Sequence, residues 1–127
     1  MEFQYVNFYI FDLLGWLEDI YDKGEFVCVN VMNGFSAVAG MTGSGFGAYV
    51  RGEGVSNPTI LIAGETPPEI TDDDEEREFF CKVFLHEFKH HLQYIDNPEN
   101  VTAEWAEDDA NKFADEQYVK FLEWLGI

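Results

Sequence analysis

The run Phe79-Phe80-Cys81-Lys82-Val83-Phe84-Leu85-His86-Glu87-Phe88-Lys89-His90-His91-Leu92 holds all three histidines of the chain within six residues. His86 and His90 are four apart, so on a helix they lie one above the other and offer imidazole nitrogens to one ion. Glu87, beside the first of them, is placed to act as a general base on water. The surrounding residues predict a buried helix. Phe79, Val83, His86 and His90 share one face with Gln93 or Tyr94, and Phe80, Phe84 and Leu85 cover most of the remainder. A buried neutral imidazole needs partners for its nitrogens, and two of them one turn apart invite a shared cation. Core histidines satisfied by backbone or water are the bland alternative. The pair with Glu87 between them favours metal.

A chain of 127 residues is expected to form one domain, residues 1–127, with a modest core. Its 12 Phe, 6 Tyr and 3 Trp exclude a disordered acidic tail. Cys28 and Cys81 lie far apart in apolar surroundings and read as reduced core thiols. No basic leader region and no apolar run of membrane-spanning length is present, so the expectation is a cytoplasmic protein. With 25 Asp plus Glu against 7 Lys plus Arg, the net charge of −18 repels nucleic acid and anionic membranes. The expected partner is a protein or peptide substrate, and the oligomeric state stays open. A second class also fits this charge: an acidic interaction protein, such as a DNA mimic, with a structural or inactive metal site.

In chain order, Phe3, Val6, Ile10, Leu13, Leu14, Leu17 and Ile20 recur at helical spacing and predict an amphipathic opening helix ending near Lys23-Gly24. Residues 25–32 read as a strand, Asn33-Gly34 as a hairpin turn and residues 35–39 as the return strand. The glycine-dense segment 40–54 lacks the ending of a phosphate loop and reads as strand, bulge and turn, extended over Phe46 to Arg51. Thr59 to Ala63 is a further strand, with the possibility of aligning an extended peptide along its edge. Thr71 or Asp72 caps the histidine helix, the acids after it face the positive helix end, and Asp96-Asn97-Pro98 stops it by Ile95.

From about Thr102 to Leu125 no Gly or Pro interrupts a second helical pattern. Ala103, Ala106, Ala110, Phe113, Ala114, Phe121 and Leu125 mark its buried face, and Glu107 falls among the alanines. A carboxylate on a buried stripe needs a cation to offset desolvation. Two histidines leave a zinc site one protein ligand short, and Glu107 fits that place, with Glu104 as fallback.

His86-Glu87-Phe88-Lys89-His90 followed by Glu107-Asp108-Asp109-Ala110-Asn111-Lys112-Phe113-Ala114 resembles the gluzincin metallopeptidases, and more narrowly the minigluzincins and ImmA/IrrE-type peptidases. The likeness covers mainly Phe79 to Ala114. Asp109 stands where the family often has Glu. It implies an α+β fold: a small twisted antiparallel sheet packed on an active-site helix and a glutamate helix. It also implies a Zn2+ held by His86, His90 and Glu107, with Glu87 as general base. Tyr94, His91, Arg51 and Tyr118 are open candidates for steadying the oxyanion. Minigluzincins are made as proenzymes blocked by a C-terminal segment, which suggests latency through residues 115–127. Packing of Phe121, Leu122 and Leu125 on the opening helix is the alternative.

Overall fold

The computed structural model describes residues 2–5, 12–13, 15–17, 28–32, 46–50, 58–63, 67–96 and 104–126. Four strands, β1 (Glu2–Tyr5), β2 (Cys28–Met32), β3 (Gly47–Val50) and β4 (Thr59–Ala63), precede two long helices, α1 (Asp73–Asp96) and α2 (Glu104–Leu125). This is an α+β arrangement. The strands form one sheet in the order β1-β2-β4-β3.

The sheet is mixed, which corrects the expected antiparallel one. β1 pairs parallel with β2, β2 pairs parallel with β4, and only β3 with β4 is antiparallel. Parallel neighbours need a crossover of a dozen or more residues. Residues 6–27 separate β1 from β2, and residues 33–58 separate β2 from β4. β4 therefore lies inside the sheet between β2 and β3, so it cannot offer an edge to a peptide. The edge beside α1 is β3. The return strand expected over residues 35–39 falls outside the described residues.

The opening segment also departs from expectation. Glu2–Tyr5 is strand, not helix. Alternating Phe3 and Tyr5 suit an extended chain as well as a helical face, and pairing with β2 decides between the two periods. Helical geometry is found at residues 12–13 and 15–17. There Leu13 and Leu17 are buried at the i, i+4 spacing that the pattern predicted, and Trp16, which that pattern did not include, is buried with them.

α1 starts where its acids are. The Asp74 amide donates to Asp72 Oδ1 at 3.4 Å and the Glu76 amide to the Asp72 carbonyl at 2.9 Å, so Asp72 is the cap. α2 ends at Gly126, whose φ of 83° closes the last turn with an amide bond to the Glu123 carbonyl. The core gathers Leu13, Trp16 and Leu17, Ile60 and Ile62 of β4, Phe84 and Leu85 of α1, and Tyr118 and Phe121 of α2. The Trp16 and Phe121 rings lie 5.5 Å apart. The last turns of α2 thus pack on the opening helical segment.

Candidate metal centre

α1 and α2 pack against each other, and this contact carries His86 and His90 to Glu107. Ligand atoms of the three residues all lie within 4.8 Å of one another, close enough to bind one metal ion. The imidazole Nε2 atoms are 3.1 Å apart. Glu107 Oε2 lies 3.2 Å from His86 Nε2, and Glu107 Oε1 lies 2.8 Å from His90 Nε2.

The outer nitrogens of both rings explain why these atoms converge. His86 Nδ1 is 2.8 Å from Asn111 Oδ1, and His90 Nδ1 is 2.9 Å from Gln93 Oε1. An amide oxygen only accepts, so each Nδ1 must carry the hydrogen. Gln93 is oriented in turn, because its Nε2 donates to the Ala106 carbonyl at 3.0 Å and to Asp109 Oδ2 at 2.9 Å. Rings held this way turn both Nε2 atoms and a carboxylate toward one point. Three such atoms at one point are close enough to bind one metal ion.

Glu107 reaches this point from the outside. Its side chain is 61% exposed, whereas Ala106, Ala110 and Ala114 form the buried line beside it. The expectation of a buried carboxylate is corrected. What marks Glu107 is its aim at the histidine pair, not desolvation. Glu104, the fallback, is an exposed residue of the first α2 turn and does not belong to the group.

Glu87 is 8% exposed. Burial, and then the charge of Glu107, push its carboxyl up to about 8. A cation at the three ligands would pull it back down. Burial, then His90, lower the His86 pKa against the opposing pull of Glu107 and Asn111, which favours the neutral ring that a metal needs.

The chain matches no protein-family model, no curated protein and no solved structure. The site therefore stands on its own geometry.

Of the open candidates, His91 turns to β3, its Nδ1 2.7 Å from the Tyr49 hydroxyl. Tyr118 accepts a hydrogen bond from Arg77 Nε at 3.2 Å. Tyr94 is half-buried on α1, and Arg51 lies outside the described residues. Asn111, Gln93 and Gly47 were not singled out by sequence reasoning. Two of them carry a spacing signal, since Asn111 is one turn after Glu107 and Gln93 one turn after His90.

Proposed function

We propose that this protein is a zinc-dependent peptidase hydrolysing peptide bonds in an intracellular protein or peptide. The observation that carries the reading is the convergence of two bare imidazole nitrogens and a carboxylate beside a buried glutamate. Zinc bonds nitrogen at 2.0–2.1 Å, so ligand atoms at the corners of its tetrahedron stand roughly 3.3 Å apart. The spacings here, 3.1, 3.2 and 2.8 Å, come within a few tenths of that. The gluzincin-like spacing of the motif adds support from the sequence side.

Bound there, zinc supplies Lewis acidity toward water and toward a peptide carbonyl. His86 and His90 would hold the ion through Nε2, their rings fixed by Asn111 and Gln93, and Glu107 would complete the set from α2. Glu87 takes the proton of the attacking water and delivers it to the leaving amine. β3, which among the described residues has a sheet neighbour on one side only, offers its other edge to an extended substrate. Among the described residues no helix is long and apolar enough to cross a membrane. A cytoplasmic setting fits this and the paired reading of the cysteines as reduced thiols.

Metal analysis beside peptidase assays tests the proposal. Purified protein should hold about one zinc per chain. His86→Ala, His90→Ala and Glu107→Ala should lose it, and Glu104→Ala should keep it. Glu87→Gln should keep zinc and lose chelator-sensitive hydrolysis. Protein that takes up no zinc when it is supplied would overturn the site. Zinc bound firmly without cleavage of any unfolded substrate would favour the acidic interaction protein instead.

A further inference from the structure

The outer nitrogens of the two histidines are held differently. His86 Nδ1 meets Asn111 Oδ1 at an exposed contact, whereas His90 Nδ1 meets Gln93 Oε1 in the buried interior. Gln93 is 6% exposed and reaches across to α2, where its Nε2 stands 3.0 Å from the Ala106 carbonyl and 2.9 Å from Asp109 Oδ2. α2 thus acts on both ends of the His90 ring. Glu107 Oε1 lies 2.8 Å from Nε2, and Asp109, two residues on, reaches Nδ1 through Gln93. No step of the proposed hydrolysis uses Asp109.

The direction of the Gln93 amide decides where the hydrogen of His90 sits. An amide carries two donor hydrogens on nitrogen and an oxygen that only accepts. The Ala106 carbonyl and the Asp109 carboxylate also only accept, so both call for the nitrogen end of Gln93. The oxygen is left to receive a hydrogen from His90 Nδ1. Turned end for end, the amide would set oxygen against oxygen at both α2 contacts and aim a donor at the ring. His90 Nδ1 would then have to accept. In a neutral imidazole the hydrogen would move to Nε2, the nitrogen that faces His86 and Glu107. Of the two α2 acceptors Asp109 is the charged one, and a charged acceptor holds its donor about twice as strongly as a neutral one. Its other neighbour, the Lys89 ammonium, stands at 3.8 Å, too far for a hydrogen bond, and lies 5.0 Å from the Phe113 ring centroid. The bond to Gln93 is the closer and more directional of the two.

We infer that Asp109 is a positioning residue of the metal centre: by holding the Gln93 amide in one direction it keeps the hydrogen of His90 on Nδ1 and leaves Nε2 to the ion. The inference rests on the metal reading of His86, His90 and Glu107 and extends it, because Asp109 acts through Gln93 and is not itself one of the three ligands. It also makes the two histidines unequal. His90 is set by a chain that ends in a charge, His86 by the neutral Asn111 amide.

Zinc competition against a chromophoric chelator and nitrogen NMR of the metal-free full chain test it together. Asp109→Ala should bind zinc roughly tenfold more weakly, the lower end of the usual effect of losing an outer partner. Asp109→Asn, whose oxygen still accepts from Gln93, should stay within about threefold of wild type. In a Gln93→Ala background Asp109→Ala should add nothing, since the link it acts through is gone. Lys89→Met should keep wild-type affinity. In metal-free wild type at about pH 8, where an ordinary imidazole is neutral, His90 Nδ1 should give the signal of a hydrogen-bearing nitrogen. Asp109→Ala should move that signal toward the bare value, and Asp109→Asn should not. Unchanged affinity or an unchanged His90 signal in Asp109→Ala overturns the role. So does an equal loss in Asp109→Asn or Lys89→Met, a full loss persisting in the Gln93→Ala background, or a bare Nδ1 in wild type. If Asp109→Ala does not fold, Asp109→Leu removes the acceptor at nearly the same shape. A wild type that takes up no zinc overturns the metal reading, and the His90 signals then decide by themselves whether Asp109 sets the ring.

Discussion

A β-carbon at Gly47 would stand 3.3 Å from Glu87 Cγ and 2.5 Å from Val83 Cγ1. The edge strand thus comes up to the proposed general base only because position 47 carries no side chain. Tyr49, two residues on, fastens the same strand to α1 through His91. A glycine and a tyrosine–histidine bond together set the distance between the β3 edge and Glu87.

Gly47→Ala tests this directly. Val83 is β-branched and held on a packed helix, so strand and helix must part to admit the methyl group. Zinc content should stay at the wild-type level, since no ligand is touched. Hydrolysis should fall roughly 10- to 100-fold, the scale of a misplacement of about 1 Å. Unchanged turnover would show that the strand edge plays no part in presenting substrate to Glu87.

Asn111 and Gln93 should matter for metal affinity without being ligands. Each fixes the hydrogen on an outer ring nitrogen and so keeps Nε2 bare. Removing such a partner usually costs about 10- to 100-fold in affinity. Asn111→Ala and Gln93→Ala should both show that loss in competition with a chromophoric chelator. Asn111→Asp, which still accepts from Nδ1, should retain binding. Wild-type affinity in both alanine variants would remove orientation from the account of the site.

The two helices and the three residues they bring together were legible because both signals are local. His86, Glu87 and His90 lie within five residues, and Glu107 stands on a segment without breakers. β4 was legible too, as an apolar run bounded by Gly64 and the proline pair. Sheet order was not, since parallel pairing of Cys28–Met32 with Thr59–Ala63 is decided by contacts distant in sequence. The segment at Phe3 satisfied a helical and a strand period alike, and only pairing with β2 chose. The exposure of Glu107 escaped for a simpler reason: alanines three and four residues away do not say which side of their line it occupies.

Cys81 should be inert in the native state. Burial raises its thiol to about 12 against the ordinary 9.0, outweighing the opposite pull of Arg77. The folded pKa is the higher one, so the stability linked to this proton is complete below pH 9 and is lost as pH rises from 9 toward 12. At pH 8 a three-unit shift leaves on the order of 1,000-fold less thiolate than an unfolded chain has. Mass spectrometry of the peptide carrying Cys81 after iodoacetamide treatment should show labelling only in denaturant. Rapid labelling of native protein would mean that α1 opens locally.

The end of α2 decides between core and cover. Tyr118 and Phe121 are 4% and 1% exposed, and Phe121 lies against Trp16 rather than against the histidines. Phe121→Ala should cost about 3–5 kcal/mol, as large-to-small changes in packed cores do, read as a shift in urea midpoint. Truncation after Gln117 removes Tyr118, Phe121 and the partly buried Leu122 and Leu125 together. The shortened chain should lose cooperative unfolding, and with it the Arg77–Tyr118 bond between the helices. Its zinc affinity should fall as well, because α2 carries Glu107 and metal binding is linked to folding. Minigluzincin-like latency makes the opposite forecast: a truncated chain that stays folded, keeps its zinc and gains chelator-sensitive cleavage. The packing of Phe121 on Trp16 ties the segment to the core, so loss of folding is the expected result.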